Sequence, residues 1–86
     1  MNLNKQNLIN KILYRSKYRG TKEMDILVSS FVKSIVHDLS IDELEDLDKI
    51  INLNDEKIIE LINNDSFNEN YNDNLILKLK KYKENL

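Results

Sequence analysis

The chain has no cysteine, no proline and no tryptophan, and only one glycine and one histidine in 86 residues. Without cysteine there is no disulfide framework, no thiolate metal site and no thiol nucleophile, which fits a reducing compartment. With His37 as the only imidazole, paired-histidine metal sites and two-histidine acid–base schemes are excluded too. The place of His37 near the expected end of a helix suits a surface or capping role. One glycine cannot build a glycine-rich phosphate cradle. No run approaches the roughly 18 apolar residues of a membrane-spanning helix, so no direct membrane insertion is expected. The lack of proline and near-lack of glycine favour helix along the whole length.

What is present is 41% hydrophobic and 33% charged, the balance of a globular chain. Residues 1–86 are expected to form a single domain with a small core, because so short a chain buries only about 60–65% of its unfolded surface. That leaves no room for a deep catalytic cleft. Charge is unevenly spread. Residues 1–22 hold six basic residues and no acid, residues 23–73 hold 14 acids against Lys33, Lys49 and Lys57, and the last segment is basic again. An acid-free amphipathic start resembles a transit peptide, but it is lysine-rich and lacks a small-residue cleavage region, so that reading is set aside. Helical spacing aligns Lys11, Arg15 and Arg19 as a possible phosphate-contacting row. The acidic body and a pI of about 5.3 argue against nucleic acid as a partner.

Apolar periodicity predicts an all-α, five-helix fold. Leu8, Ile9, Ile12 and Leu13 form one stripe of a helix over 4–18. Met24, Leu27, Val28, Phe31, Val32, Ile35 and Val36 form a wider stripe over 23–36. Ser40 and Glu43 make a capping box for a third helix, with Leu39 and Leu44 as its hydrophobic staple. Asn54 caps a fourth, with Leu53 and Ile58 as its staple and Asp55 and Glu56 at its positive end. Residues 63–72 read as a polar connection anchored by Phe67 and Tyr71. Asp73 is expected to cap a last helix carrying Leu75, Ile76, Leu79 and Tyr82. The acids Asp42, Glu43, Glu45, Asp46 and Asp48 spread around the third helix and come with no calcium-loop glycine, so they read as a solvated face.

The chain's only glycine, Gly20, follows one of its only two arginines, in a composition that otherwise prefers lysine and asparagine. Gly20 falls where a helix end favours a residue of positive φ. That explains the glycine but not the acids beyond it. Arg15 and Arg19 end one helix and Glu23 and Asp25 begin the next, so a bend at Gly20 is expected to gather guanidinium and carboxylate groups into one exposed patch. Arginine is preferred to lysine where a planar fork meets a carboxylate or a backbone oxygen. The expectation is a charged recognition corner with little or no pocket.

The run Arg15-Ser16, then Arg19-Gly20-Thr21-Lys22-Glu23-Met24-Asp25, then Ile26-Leu27 and Phe31, resembles the R-G-x-x-E-x-D signature of the SdhE/YgfY family. These are the succinate dehydrogenase flavinylation factors, whose mitochondrial relatives are called succinate dehydrogenase assembly factor 2. The resemblance continues through Leu39-Ser40-x-x-Glu43-Leu44, Leu53-x-Asp55 and Leu79-Lys80-Lys81-Tyr82, covering about residues 8–83. It implies a compact five-helix factor, not an enzyme, that binds the flavoprotein subunit of succinate dehydrogenase and, in some bacteria, of fumarate reductase. Such a factor promotes covalent attachment of FAD to a histidine of that subunit. The FAD belongs to the partner and none is expected to be held stably by this chain, which needs no nucleophile of its own. A monomer is expected, cytoplasmic in bacteria, with related eukaryotic proteins in the mitochondrial matrix.

By matching position the resemblance implies Arg19, Gly20 and Glu23 as the core of a partner-binding site, flanked by Arg15 and Asp25. Relatives carry a proline and a tryptophan in the fourth-helix region where Glu56 and Leu61 stand here, so no role is carried onto that helix. The rival readings are a helical adaptor for some other protein and, third, a small nucleic-acid-binding domain.

Overall fold

A computed structural model describes residues 3–17, 19–64 and 70–86. Among the described residues there are five α-helices: α1 (Leu3–Arg15), α2 (Lys22–Ile35), α3 (Ile41–Ile51), α4 (Asp55–Asn63) and α5 (Asp73–Glu84), with a 3-10 turn, Val36–Asp38, after α2. The all-α, five-helix expectation holds, and no strand occurs among the described residues.

The starts of α2 to α5 each have a local cause. Thr21 caps α2, its hydroxyl accepting from the Met24 N–H at 3.2 Å. The capping box at α3 is complete: the Glu43 N–H donates to the Ser40 hydroxyl at 3.2 Å and the Ser40 N–H donates to Glu43 Oε1 at 3.0 Å. Leu39 and Leu44, its staple, are both buried. Asn54 caps α4 through the Lys57 N–H at 2.8 Å. At α5 the cap is Asn72 rather than Asp73. The Asn72 side-chain oxygen accepts from the Leu75 N–H, leaving Asp73 in the first turn, where it favours the positive helix end. The same Asn72 donates from Nδ2 to Asp46 at 2.9 Å, tying the start of α5 to α3.

Two ends differ from the periodicity. α1 stops at Arg15, short of residue 18. Ser16 is buried with its hydroxyl on the Leu13 carbonyl at 2.8 Å, and the Lys17 N–H reaches back three residues to Tyr14, so the last turn tightens and closes. α2 likewise gives way at Ile35 to the 3-10 turn, on which His37 is exposed. Of the two aromatic anchors expected in 63–72, Tyr71 packs against the core, and Phe67 lies outside the described residues.

The buried apolar side chains of all five helices form one cluster. α1 packs chiefly along α3, and α5 reaches α2 through an edge-on contact of Tyr82 with Phe31, ring centroids 5.6 Å apart. Leu61 is 4% exposed, so that position of α4 belongs to the core.

The capping box makes α3 sensitive to acid. The Ser40 backbone N–H, then the Ser40 hydroxyl, hold the Glu43 carboxyl below the usual glutamate range, with Lys78 adding to the effect. A depressed folded-state value means that the box contributes fully above the ordinary glutamate value and fades as pH falls through the lower folded one. Ser40→Ala should therefore raise the Glu43 titration midpoint, read by carboxyl NMR, and cost about 1 kcal/mol in urea unfolding at neutral pH.

Candidate functional site

The link between α1 and α2 is short and is held from below by α3 and α4. Arg19 leaves the main chain and turns inward, its side chain only 8% exposed. Its Nε donates to Asp55 Oδ1 at 2.9 Å, its Nη1 to the Ile51 carbonyl and its Nη2 to the Leu53 carbonyl. Ile51 closes α3, so its carbonyl is one of those a helix end leaves without an intrahelical donor. Asp55 opens α4, where a carboxylate is favoured by the helix dipole. One guanidinium thus joins the end of α3, the start of α4 and the α1–α2 link. A lysine ammonium, a single point of charge, has no planar fork to reach three fixed acceptors in this way.

The second Asp55 oxygen is used as well: Oδ2 accepts from the Gly20 N–H at 3.0 Å. Gly20 does not have the positive φ expected of a helix stop, and none occurs among the described residues. It also stands five residues beyond the end of α1. The need for glycine is one of space, since a Cβ at this position would lie 3.0 Å from the same Oδ2. With both oxygens engaged, Asp55 has little freedom to retreat.

Asp25 closes the link from the other side, its carboxylate accepting from the Arg19 main-chain N–H. Arg15 sits apart on α1, with Nη1 3.1 and 3.2 Å from the two oxygens of Asp48 on α3. Lys11 joins the same carboxylate at 3.6 Å. Glu23, in the first turn of α2, is exposed and makes no hydrogen bond or ion pair with the described residues. The five residues expected to form the site therefore divide. Arg19 and Asp25 brace the turn, Gly20 passes closely over Asp55, Arg15 is tied to α3, and Glu23 faces outward.

The expectation of guanidinium and carboxylate groups in one exposed patch is corrected accordingly. Arg19 is drawn inside because three acceptors wait beneath it, and the corner's outward charge is a carboxylate. An open depression of about 500 Å³ adjoins it, lined by Arg19, Gly20, Leu53, Asn54, Asp55 and Glu56. Nothing in the helical periodicity marks Asp55 as more than a helix-start acid. Its place in Leu53-x-Asp55, in the link after α3 whose Leu53 carbonyl also accepts from Arg19, is the signal that it serves the same site as Arg19. No trio of His, Asp and Glu side chains among the described residues is placed to hold a metal ion.

The geometry separates residues that hold the turn from the one that faces outward. Arg19→Ala leaves Asp55 and two carbonyls without their partner and should cost about 3–5 kcal/mol in chemical denaturation. Arg19→Lys should recover only part of that loss. Gly20→Ala presses on an engaged carboxylate and should cost about 1 kcal/mol, a fall in Tm of roughly 4–8 °C by calorimetry.

Residues 10–83 match the family Sdh5, described as the flavinator of succinate dehydrogenase. Comparison with curated proteins and with solved structures returns no match. A match from the middle of α1 to the end of α5 takes in the Arg19–Asp55 clamp and every residue of the corner. The chain therefore belongs to the Sdh5 family, the flavinators of succinate dehydrogenase.

Proposed function

We propose that this chain binds the flavoprotein subunit of succinate dehydrogenase, and in a suitable cell that of fumarate reductase, and promotes covalent attachment of FAD to a histidine of that subunit. Family membership supports the assembly role. The observation that carries the finer reading is Glu23: an exposed carboxylate without a partner among the described residues, standing on a turn braced by Arg19, Asp25 and Asp55. Because the backbone before it is held by these contacts, docking has to order only the Glu23 side chain and not the turn.

In this reading Glu23 and the main chain at Gly20 meet the flavoprotein near its flavin, Arg19 and Asp25 hold them in place, and Arg15 flanks the contact. The factor holds the partner in a geometry in which its histidine reaches the flavin methyl. The flavin and the histidine are both the partner's. The chain acts as a monomer in the bacterial cytoplasm, related eukaryotic proteins belonging to the mitochondrial matrix, and as an assembly factor rather than a catalyst.

Co-expression with the cognate flavoprotein subunit tests this, with covalent flavin read by in-gel fluorescence. Glu23→Gln should lower covalent flavin at least tenfold while lowering Tm only slightly, because Glu23 makes no hydrogen bond or ion pair with the described residues and only its first-turn charge is lost. Full flavinylation with Glu23→Gln, or in cells lacking this protein, would instead favour an adaptor that serves another partner through its acidic face.

A further inference from the structure

A groove of about 700 Å³ runs between α2 and α4 and shares Glu23 and Asp55 with the corner. Its floor is apolar: Met24 and Leu27 from α2 are buried there, while Ile59 of α4 is 40% exposed on its wall. Its rim is charged, and unevenly. At the start of α4 stand Glu23 and Glu56, neither with an ion pair among the described residues, beside an Asp55 already committed to Arg19 and Gly20. At the last turn of α4, next to Ile62, stands Lys83 of α5, also without an ion pair. From Glu56 to Ile62 the helix rises about 9 Å. The groove thus runs from two free carboxylates across an apolar floor to one free ammonium.

We propose that this groove is a second docking surface for the flavoprotein partner. Its occupant is a segment of that partner carrying a basic side chain, then an apolar one, then an acidic one about 9 Å from the first. The inference rests on the function proposed above, and Glu23 links the two surfaces because it belongs to both the corner and the groove rim. Charge complementarity selects the occupant. An acidic segment entering at the Glu23–Glu56 end meets like charge, and a wholly polar one leaves Ile59 and its floor in water. Ile59 supplies the central apolar contact and the free charges fix direction, the division of labour expected of an interface core and its rim.

The test is binding of the purified chain to the purified apo-flavoprotein subunit, by titration calorimetry at two salt concentrations, with Tm measured for every variant. Ile59→Glu should weaken binding at least tenfold and Ile59→Leu should bind as the native chain does. Glu56→Lys should weaken binding severalfold and reduce its salt dependence. Leu77→Glu, an exposed apolar site on α5 outside the groove, should bind normally. A photo-crosslinker at position 59 should capture a flavoprotein peptide with a lysine or arginine beside an apolar residue, and this arm decides the matter if Ile59→Glu does not fold. A complex indifferent to a folded Ile59→Glu, or a captured peptide without that basic residue, overturns the groove and leaves the corner standing. No complex with the native chain overturns the proposed function and the groove together.

Discussion

The α1–α2 turn is tied to α3 and α4 through the buried guanidinium of Arg19 and the carboxylate it meets, Asp55. Arg19 and Asp55 lie 36 positions apart in sequence. Between them they bring together the end of one helix, the start of another and the link that joins α1 to α2. A buried ion pair offsets its desolvation only when the remaining donors and acceptors are also satisfied. Here they are, by two carbonyls on the arginine side and a main-chain N–H on the aspartate side. The pair's value to the molecule lies in geometry as much as in energy, since it sets where the turn sits and which way Glu23 points.

The uneven charge of the sequence acquires a meaning in three dimensions. The basic first segment folds onto the acidic middle, where Lys11 and Arg15 share Asp48. The basic last segment approaches it from the other side, where Lys78 lies near enough to influence Glu43. Asp46 meanwhile receives Asn72. Acids that looked like an undifferentiated solvated face are in part ties between helices. Exposed pairs of this kind contribute modestly to stability, about 0–1 kcal/mol each, but they favour the register in which α1 crosses α3.

The helices were legible because their apolar stripes and caps are local properties: Ser40 with Glu43, and Asn54 with the turn it opens, act over three or four residues. The end of α1 was not legible, because it depends on whether Ser16 turns its hydroxyl inward. That Arg19, Gly20 and Asp25 meet at one corner was legible through the arginine and glycine that persist in a lysine- and asparagine-rich chain, and through the family pattern. Its construction was not. Periodicity describes what one helix presents, whereas the Arg19 acceptors come from two helices distant in sequence. For the same reason Gly20 was assigned to torsional freedom, a local property, when its requirement is a gap above Asp55. The groove beside Ile59 was invisible, since it exists only once α2 and α4 stand side by side.

The long sequence separation within the clamp also governs when the corner comes into being. A loop closed by its own residues can form alone and open alone. This one is closed by the first residue of α4, so its opening is coupled to the undocking of α4 from the core, and it acquires the persistence of the domain rather than that of a surface loop. A chain still being synthesised has already made the arginine, the glycine and the outward glutamate, yet presents no formed corner until Asp55 has emerged and α4 has docked. The turn and its outward glutamate are thereby set only in a chain whose α4 has docked; a chain unravelled at α4 lacks them.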